Sequence, residues 1–289
     1  MTVMAGPLFE SVWKAGFGTL FGIPASIPVF VFLSLLGHQI GLFFQRTLVR
    51  PTDLMLAALG LQTVIAVTCS SLFELLDQQY RAGRLSQIIS NCRVKNFPPV
   101  SFITMLKQVL QNHIIAMVLV YLLFPYSQPH VYKLNTETFL DSNSFSATII
   151  NVFLYIVLFD VAFYVLHRLL HVRLLNRFSH KLHHQTHANS GISFHYMDLL
   201  DFVFENPLPC LIPVYIAGLH VPAFFIFVVV GVFNSVVVHS GWQFPYFPDI
   251  STHLRHHTSQ QYNYGIGLLD RICGTSAPQR APRVQHSIS

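Results

Sequence analysis

Twelve of the chain's sixteen histidines lie between His167 and His257, and eight of these form three compact boxes. The boxes are His167-Arg-Leu-Leu-His171, His180-Lys-Leu-His183-His184 and His253-Leu-Arg-His256-His257. Residues three and four apart share a face of a helix. Each box therefore offers two or three imidazoles in one direction, as a polynuclear metal site requires. Imidazole suits iron, zinc, copper and nickel. No carboxylate-rich or thiolate-rich motif competes, so the expected centre is built almost wholly from histidine.

The surrounding chain is too apolar for an ordinary soluble domain. Of its 289 residues 52% are hydrophobic and only 10% charged, against roughly a quarter charged in typical soluble proteins. With a mean hydropathy of +0.50, this is the composition of an integral membrane protein. The net charge of +5 then reflects basic loops on the cytosolic side, and nucleic acid is excluded as a partner. Cys69, Cys92, Cys210 and Cys273 form no CxxC pair and read as reduced thiols. The first thirteen residues carry Glu10 and no basic side chain, so the first apolar segment reads as an uncleaved anchor.

Charge-free stretches set the expected architecture, an all-α protein with about four transmembrane helices and a membrane-embedded hairpin. The spans are Ala15–Gln45 (starting nearer Val29, because of Pro24 and Pro28), Leu54–Phe73, Gln108–Tyr132 and Ser142–Phe159. The last continues as a helix into the first box. The hairpin occupies Asn206–Pro248 and is broken at Gly218-Leu-His-Val-Pro222, with Phe224–Val238 in its second arm. Arg81, Arg84, Arg93, Lys95 and Lys107 crowd one loop, whereas the loop after the third span has only Lys133. By the positive-inside rule that basic loop and the boxes face the cytosol, forming a helical, histidine-rich metal-binding cap. Arg46 and Arg50 then face the other side, a smaller asymmetry.

The candidate ligands are His167, His171, His180, His183, His184, His253, His256 and His257, joined by His239 at the end of the last apolar arm and by His195. His195 either ligates directly or hydrogen-bonds to a ligand. Asp160 and Tyr164 precede His167 by seven and three residues, on the same stripe. A carboxylate there can accept the second ring N–H of a ligand and fix its tautomer. His187 reads as a solvated position, His38, His113, His130 and His220 as structural, and His286 as part of a polar tail.

These motifs resemble the fatty acid hydroxylase / sterol desaturase superfamily of membrane non-haem di-iron enzymes. The resemblance rests on Asp160-Val-Ala-Phe-Tyr-Val-Leu-His-Arg-Leu-Leu-His171, on the second and third boxes, and on Val-His239-Ser-Gly-Trp-Gln-Phe-Pro245. Tyr262-Asn-Tyr-Gly265 and Leu269-Asp-Arg-Ile-Cys-Gly-Thr275 also match the end of that family's domain. The motifs look most like the sterol C4-methyl oxidase and cholesterol 25-hydroxylase branch. A departure is His195-Tyr-Met-Asp198, where the family usually has His-Pro-Leu-Glu, and the stretch from His239 to the third box is short.

The charge-free runs make 1–143 an N-terminal transmembrane region, and the short polar end makes 276–289 an expected disordered tail. The resemblance covers about Ser144–Thr275 and implies residues 144–275 as the catalytic domain. It implies two irons, with zinc as a stand-in in isolated protein, dioxygen as co-substrate, and Asn263 as a supporting side chain. It further implies hydroxylation or desaturation of a sterol or other apolar lipid in the endoplasmic reticulum membrane. Electrons then come from cytochrome b5 or an NAD(P)H-dependent reductase. Two other classes fit a histidine-rich membrane chain, a metal transporter and a b-type cytochrome. Transporters place ligands near the bilayer midplane, and haem needs isolated histidines on facing helices.

Overall fold

A computed structural model describes residues 27–48, 50–94, 96–123, 145–244 and 247–278. The start of the first expected span, the loop with His130 and Lys133, and the tail with His286 lie outside the described residues. Among those described there is no β-strand, and the long elements are helices α1 (Ile27–Thr47), α2 (Pro51–Arg81), α3 (Phe102–Leu123) and α4 (Phe145–Leu170). The hairpin follows as α5 (Leu199–Glu205), α6 (Pro207–Ala217) and α7 (Val221–His239), and the chain closes with α8 (Ser251–Ser259) and α9 (Leu268–Ile272). In lipid every backbone polar group must be satisfied within the protein, which long helices do unaided.

Six helical segments are long and apolar enough to cross a bilayer: α1, α2, α3, α4, the joined pair α5–α6 (Leu199–Ala217), and α7. Both arms of the hairpin are therefore of spanning length. Helix α2 extends beyond the expected Leu54–Phe73 at both ends. Pro51 starts it without losing a needed N–H, and Glu74 and Asp77 lie inside its last turns. Asp77 is tolerated there because it is paired, as described below.

Helix α7 is the hub and buries one residue after another, including Phe225, Val229, Val232, Val236 and Val237. Its closest neighbour is α1, and the reason is Gly37-His-Gln-Ile-Gly41. A Cβ on Gly37 would sit 2.8 Å from Ile226 Cα, and one on Gly41 would sit 2.6 Å from Pro222 Cα. Two glycines four apart thus let the helix backbones touch, the usual route to tight packing where lipid supplies no hydrophobic drive.

Tyr155 on α4 closes the hairpin turn. Its hydroxyl donates to the Gly218 carbonyl at 2.6 Å and accepts from the His220 N–H at 2.7 Å. The residue is fully buried. His220 in turn caps α7 by accepting from the Ala223 N–H. Tyr155→Phe keeps the ring and removes both bonds, so it should destabilise the protein by about 1–3 kcal/mol. Denaturant unfolding in detergent checks this, and unchanged stability would remove Tyr155 from the account of the hairpin.

Candidate metal centre

One end of the helical bundle collects the histidine boxes. His167 comes from the last turn of α4 and His171 lies just beyond it. A π-helical turn, Asn176–His180, leads into a short α-helical turn, Lys181–His184. His239 ends α7, and α8 carries the third box. Ten histidines were expected as ligands, and nine converge.

They converge as two groups. His167, His171, His180, His184 and His256 form the first, and His183, His239, His253 and His257 the second; within each, one donor atom per residue lies within 4.8 Å of the others. The boxes are divided between the groups, which spacing alone did not anticipate. His180 and His184 serve the first group while His183 serves the second. The third box is the converse, with His253 and His257 in the second group and His256 in the first. The cause is helical geometry: residues i and i+4 are about 40° apart around the axis, whereas adjacent residues are about 100° apart. Each i,i+4 pair shares a target and the remaining histidine diverges.

The nitrogen geometry fits metal ions. In the first group, Nε2 of His180 lies 3.0 Å from that of His171, 2.9 Å from that of His184 and 3.3 Å from that of His167. Nε2 of His171 lies 3.2 Å from that of His256. In the second, His253 Nε2 is 2.8 Å from His239 Nε2 and 2.9 Å from His257 Nε2. A metal–nitrogen bond of about 2.1 Å sets neighbouring donors about 3.0 Å apart at a right angle and about 3.4 Å apart at the tetrahedral angle.

On four of these rings the other nitrogen, Nδ1, is engaged, which leaves Nε2 as the lone pair. Nδ1 of His167 donates to the Tyr264 carbonyl at 2.7 Å, Nδ1 of His256 to the Tyr262 carbonyl at 2.8 Å, and Nδ1 of His239 to the Ser235 carbonyl at 2.8 Å. His180 Nδ1 meets the Asp201 carboxylate at 2.9 Å. Such partners fix the tautomer. Converging lone pairs repel one another, and a cation among them relieves the repulsion.

Asp160 does not touch a histidine. Its carboxylate accepts from the N–H groups of Ile266 and Leu269, at 2.7 and 2.8 Å. Seven residues along a helix is about 10.5 Å, too far for it to reach the His167 ring. Asp160 instead holds the closing loop, which brings the Tyr262 and Tyr264 carbonyls onto the rings. Gly265 is required there, because a Cβ would lie 2.5 Å from Asp160 Oδ1. The Tyr164 hydroxyl accepts from Arg168 at 2.6 Å and bonds Thr275. Asn263, with φ of 57°, links Thr252 to Ala277. Both brace the loop, and neither makes a hydrogen bond to a box histidine.

His195 stands outside both groups. Its Nδ1 is 2.8 Å from His113 Nε2, whose ring also meets Thr63. His187 is exposed, with φ of 52°. The carboxylates beside the site, Asp201 and Glu205, were missed by sequence reasoning. Their i,i+4 spacing in the otherwise apolar run Leu199–Glu205 is a signal that could have found them, since acids in such segments are seldom idle. The centre is therefore not free of compensating charge.

The N-terminal half also reaches the site. Arg93 is buried against Asp77, with Nε 3.3 Å from Oδ1. It donates to the carbonyls of Ser240 and Asn189 at 2.6 and 3.0 Å. Trp242 Nε1 donates to the same Asp77 at 2.8 Å. Gly241 has φ of 75°, and a Cβ there would collide with the Arg93 guanidinium. This clamp fixes the chain just after His239 and places the basic loop at the same end of the molecule as the boxes.

Burial holds the cap histidines neutral. It pushes His256 down to about 4 and His171 and His184 to about 2, with neighbouring imidazoles adding to the effect for the latter two. His180, His183, His253 and His257 are lowered well below their ordinary value of 6.5 for the same reason. Neutral imidazole is the form that binds metal. The unfolded chain takes up protons below pH 6.5 and the folded one resists, so metal-free protein should lose stability as pH falls from 6.5 towards 4. Unfolding of chelator-treated protein at about pH 7.5 and about pH 5.5 tests this, the second being expected to give the lower midpoint. Equal midpoints would contradict the burial argument.

A cavity of about 220 Å³ opens beside the two groups. His167, His183, His239, His253 and Glu205 stand at its polar part, while Val152, Ile156, Phe159, Phe163 and Phe227 form its apolar wall.

Paired polyhistidine groups at the end of an apolar helical bundle could hold metal ions beside a cavity fit for an apolar ligand. The family model described as fatty acid hydroxylase matches residues 152–275, and this stretch belongs to the fatty acid hydroxylase/sterol desaturase superfamily. No curated protein and no solved structure matches the chain.

Proposed function

We propose that the protein is a membrane-bound non-haem di-iron oxygenase that hydroxylates, or desaturates, a sterol or other apolar lipid. The observation that carries this reading is the pairing of two adjacent groups of Nε2 lone pairs with an apolar cavity that ends on them. The first ion is held by His167, His171, His180, His184 and His256, and the second by His183, His239, His253 and His257. Bound iron supplies the reduction of dioxygen and the removal of hydrogen from an unactivated C–H bond.

The chain's own residues do the rest. Phe159, Phe163 and Phe227 receive the hydrocarbon and exclude water. Asp201 and the carbonyls of Tyr262 and Tyr264 hold the ring protons away from the ions. Asp160 keeps those carbonyls in place. Residues 144–275 carry the ligands, and the preceding region braces them through Asp77 and Arg93. The boxes face the cytosol from the endoplasmic reticulum membrane, in accord with the basic loop at the same end, and take electrons from cytochrome b5 or an NAD(P)H-dependent reductase.

Lipid and sterol profiling of cells with and without the chain tests the reaction. A product heavier by one oxygen is expected for hydroxylation, and one lighter by two hydrogens for desaturation. Identical profiles in cells that express folded, metal-loaded protein would overturn the assignment.

A further inference from the structure

We infer that Glu205 is an oxygen donor of the metal centre, shared between the two histidine groups; this rests on the reading that both groups hold ions. Glu205 ends α5, one turn after Asp201, and only 7% of its side chain is exposed. Its Oε1 lies 3.2 Å from His167 Nε2 in the first group, and its Oε2 lies 4.0 Å from His183 Nε2 in the second. Oε1 also lies 3.4 Å from the outer nitrogen of His180, but the nearer acceptor there is Asp201, at 2.9 Å.

Three features mark a ligand rather than a hydrogen-bonding neighbour. His167 already gives its Nδ1 proton to the Tyr264 carbonyl, so the nitrogen facing Glu205 carries a lone pair. A lone pair and a carboxylate oxygen 3.2 Å apart repel unless a cation or the carboxyl's own proton lies between them, and the variants below separate the two. Oε1 is also buried and accepts no hydrogen bond, which is costly for a carboxylate in a medium of low polarity. Finally, Glu205 lines the cavity beside His167 and His183, so its oxygens lie on the substrate side of both groups. Nine neutral imidazoles bring no charge to two divalent cations, and Glu205 brings one negative charge. An oxygen donor among imidazoles also moves the preference towards harder ions such as iron(II) and away from copper(I).

Glu205→Gln separates this role from a neutral one. Glutamine keeps the volume and the hydrogen-bonding capacity of a protonated acid but is a poor metal ligand. The full chain, purified in detergent and freed of metal, is loaded anaerobically with iron(II) or cobalt(II). Metal per chain is then read by elemental analysis, and affinity by chelator competition. At least one ion should be held about ten- to a hundredfold more weakly in Glu205→Gln, and the visible bands of cobalt(II) should change. The metal-free unfolding midpoint should stay the same or rise, since a buried carboxyl has gone. Glu205→Asp, which keeps the charge but withdraws the oxygen, provides a second variant and should lie between the parent and Glu205→Gln. Parent-like affinity and spectra in both variants would overturn the inference while leaving the proposed function standing. A folded parent that takes up no metal would overturn both.

Discussion

A chain carrying His256→Ala should insert and fold, hold the ion of its first group more than about a hundredfold more weakly, and form no detectable product. His256 is fully buried. Its Nε2 faces that of His171 at 3.2 Å, while its other nitrogen is tied to the Tyr262 carbonyl at 2.8 Å. No nearby side chain can substitute, because His257 on the same helix points to the other group. The effect should exceed the roughly 10–100-fold that follows loss of an outer hydrogen-bond partner. Metal content and product are measured on the same preparation. Full turnover with a parent-like metal count would remove the third box from the chemistry.

Arg93→Ala should give the largest loss of stability of any single change outside the boxes, about 3–5 kcal/mol. The substitution strands Asp77 without its cation in a buried position, where both side chains are 2% exposed. It also frees the carbonyls of Ser240 and Asn189, which flank the site. Because Ser240 follows His239 directly, metal retention should fall together with the unfolding midpoint. The double variant Arg93→Ala/Asp77→Asn should recover part of the stability, since no unpaired charge then remains. Unchanged stability in Arg93→Ala would show that the clamp is incidental.

The sequence made legible those features that depend on composition and local periodicity. Long charge-free runs located the apolar helices, and Gly218 and Pro222 located the break in the hairpin. Histidines at i, i+3 and i+4 announced the metal-binding boxes. The partition of each box between two groups was hidden, because it depends on how three separate turns face one another. Asp160 was picked out correctly as unusual, but its partners lie more than a hundred residues away in the closing loop. His195 was taken with the ligands on its residue type, whereas packing against α3 pairs it with His113. Asp201 and Glu205 were passed over because two ordinary acids carry no motif, although their spacing puts them on one face of α5. The clamp of Arg93 on Asp77 and Trp242 joins segments far apart in the chain, and no local pattern encodes it.

Metal counting tests the central claim most directly. Protein expressed with ample iron, purified anaerobically and assayed for metal and chain concentration should contain two ions per folded chain. Loss of both should follow from combining His256→Ala with His257→Ala, which removes one histidine from each group. A well-folded parent with one ion, or with none after loading, would contradict the account.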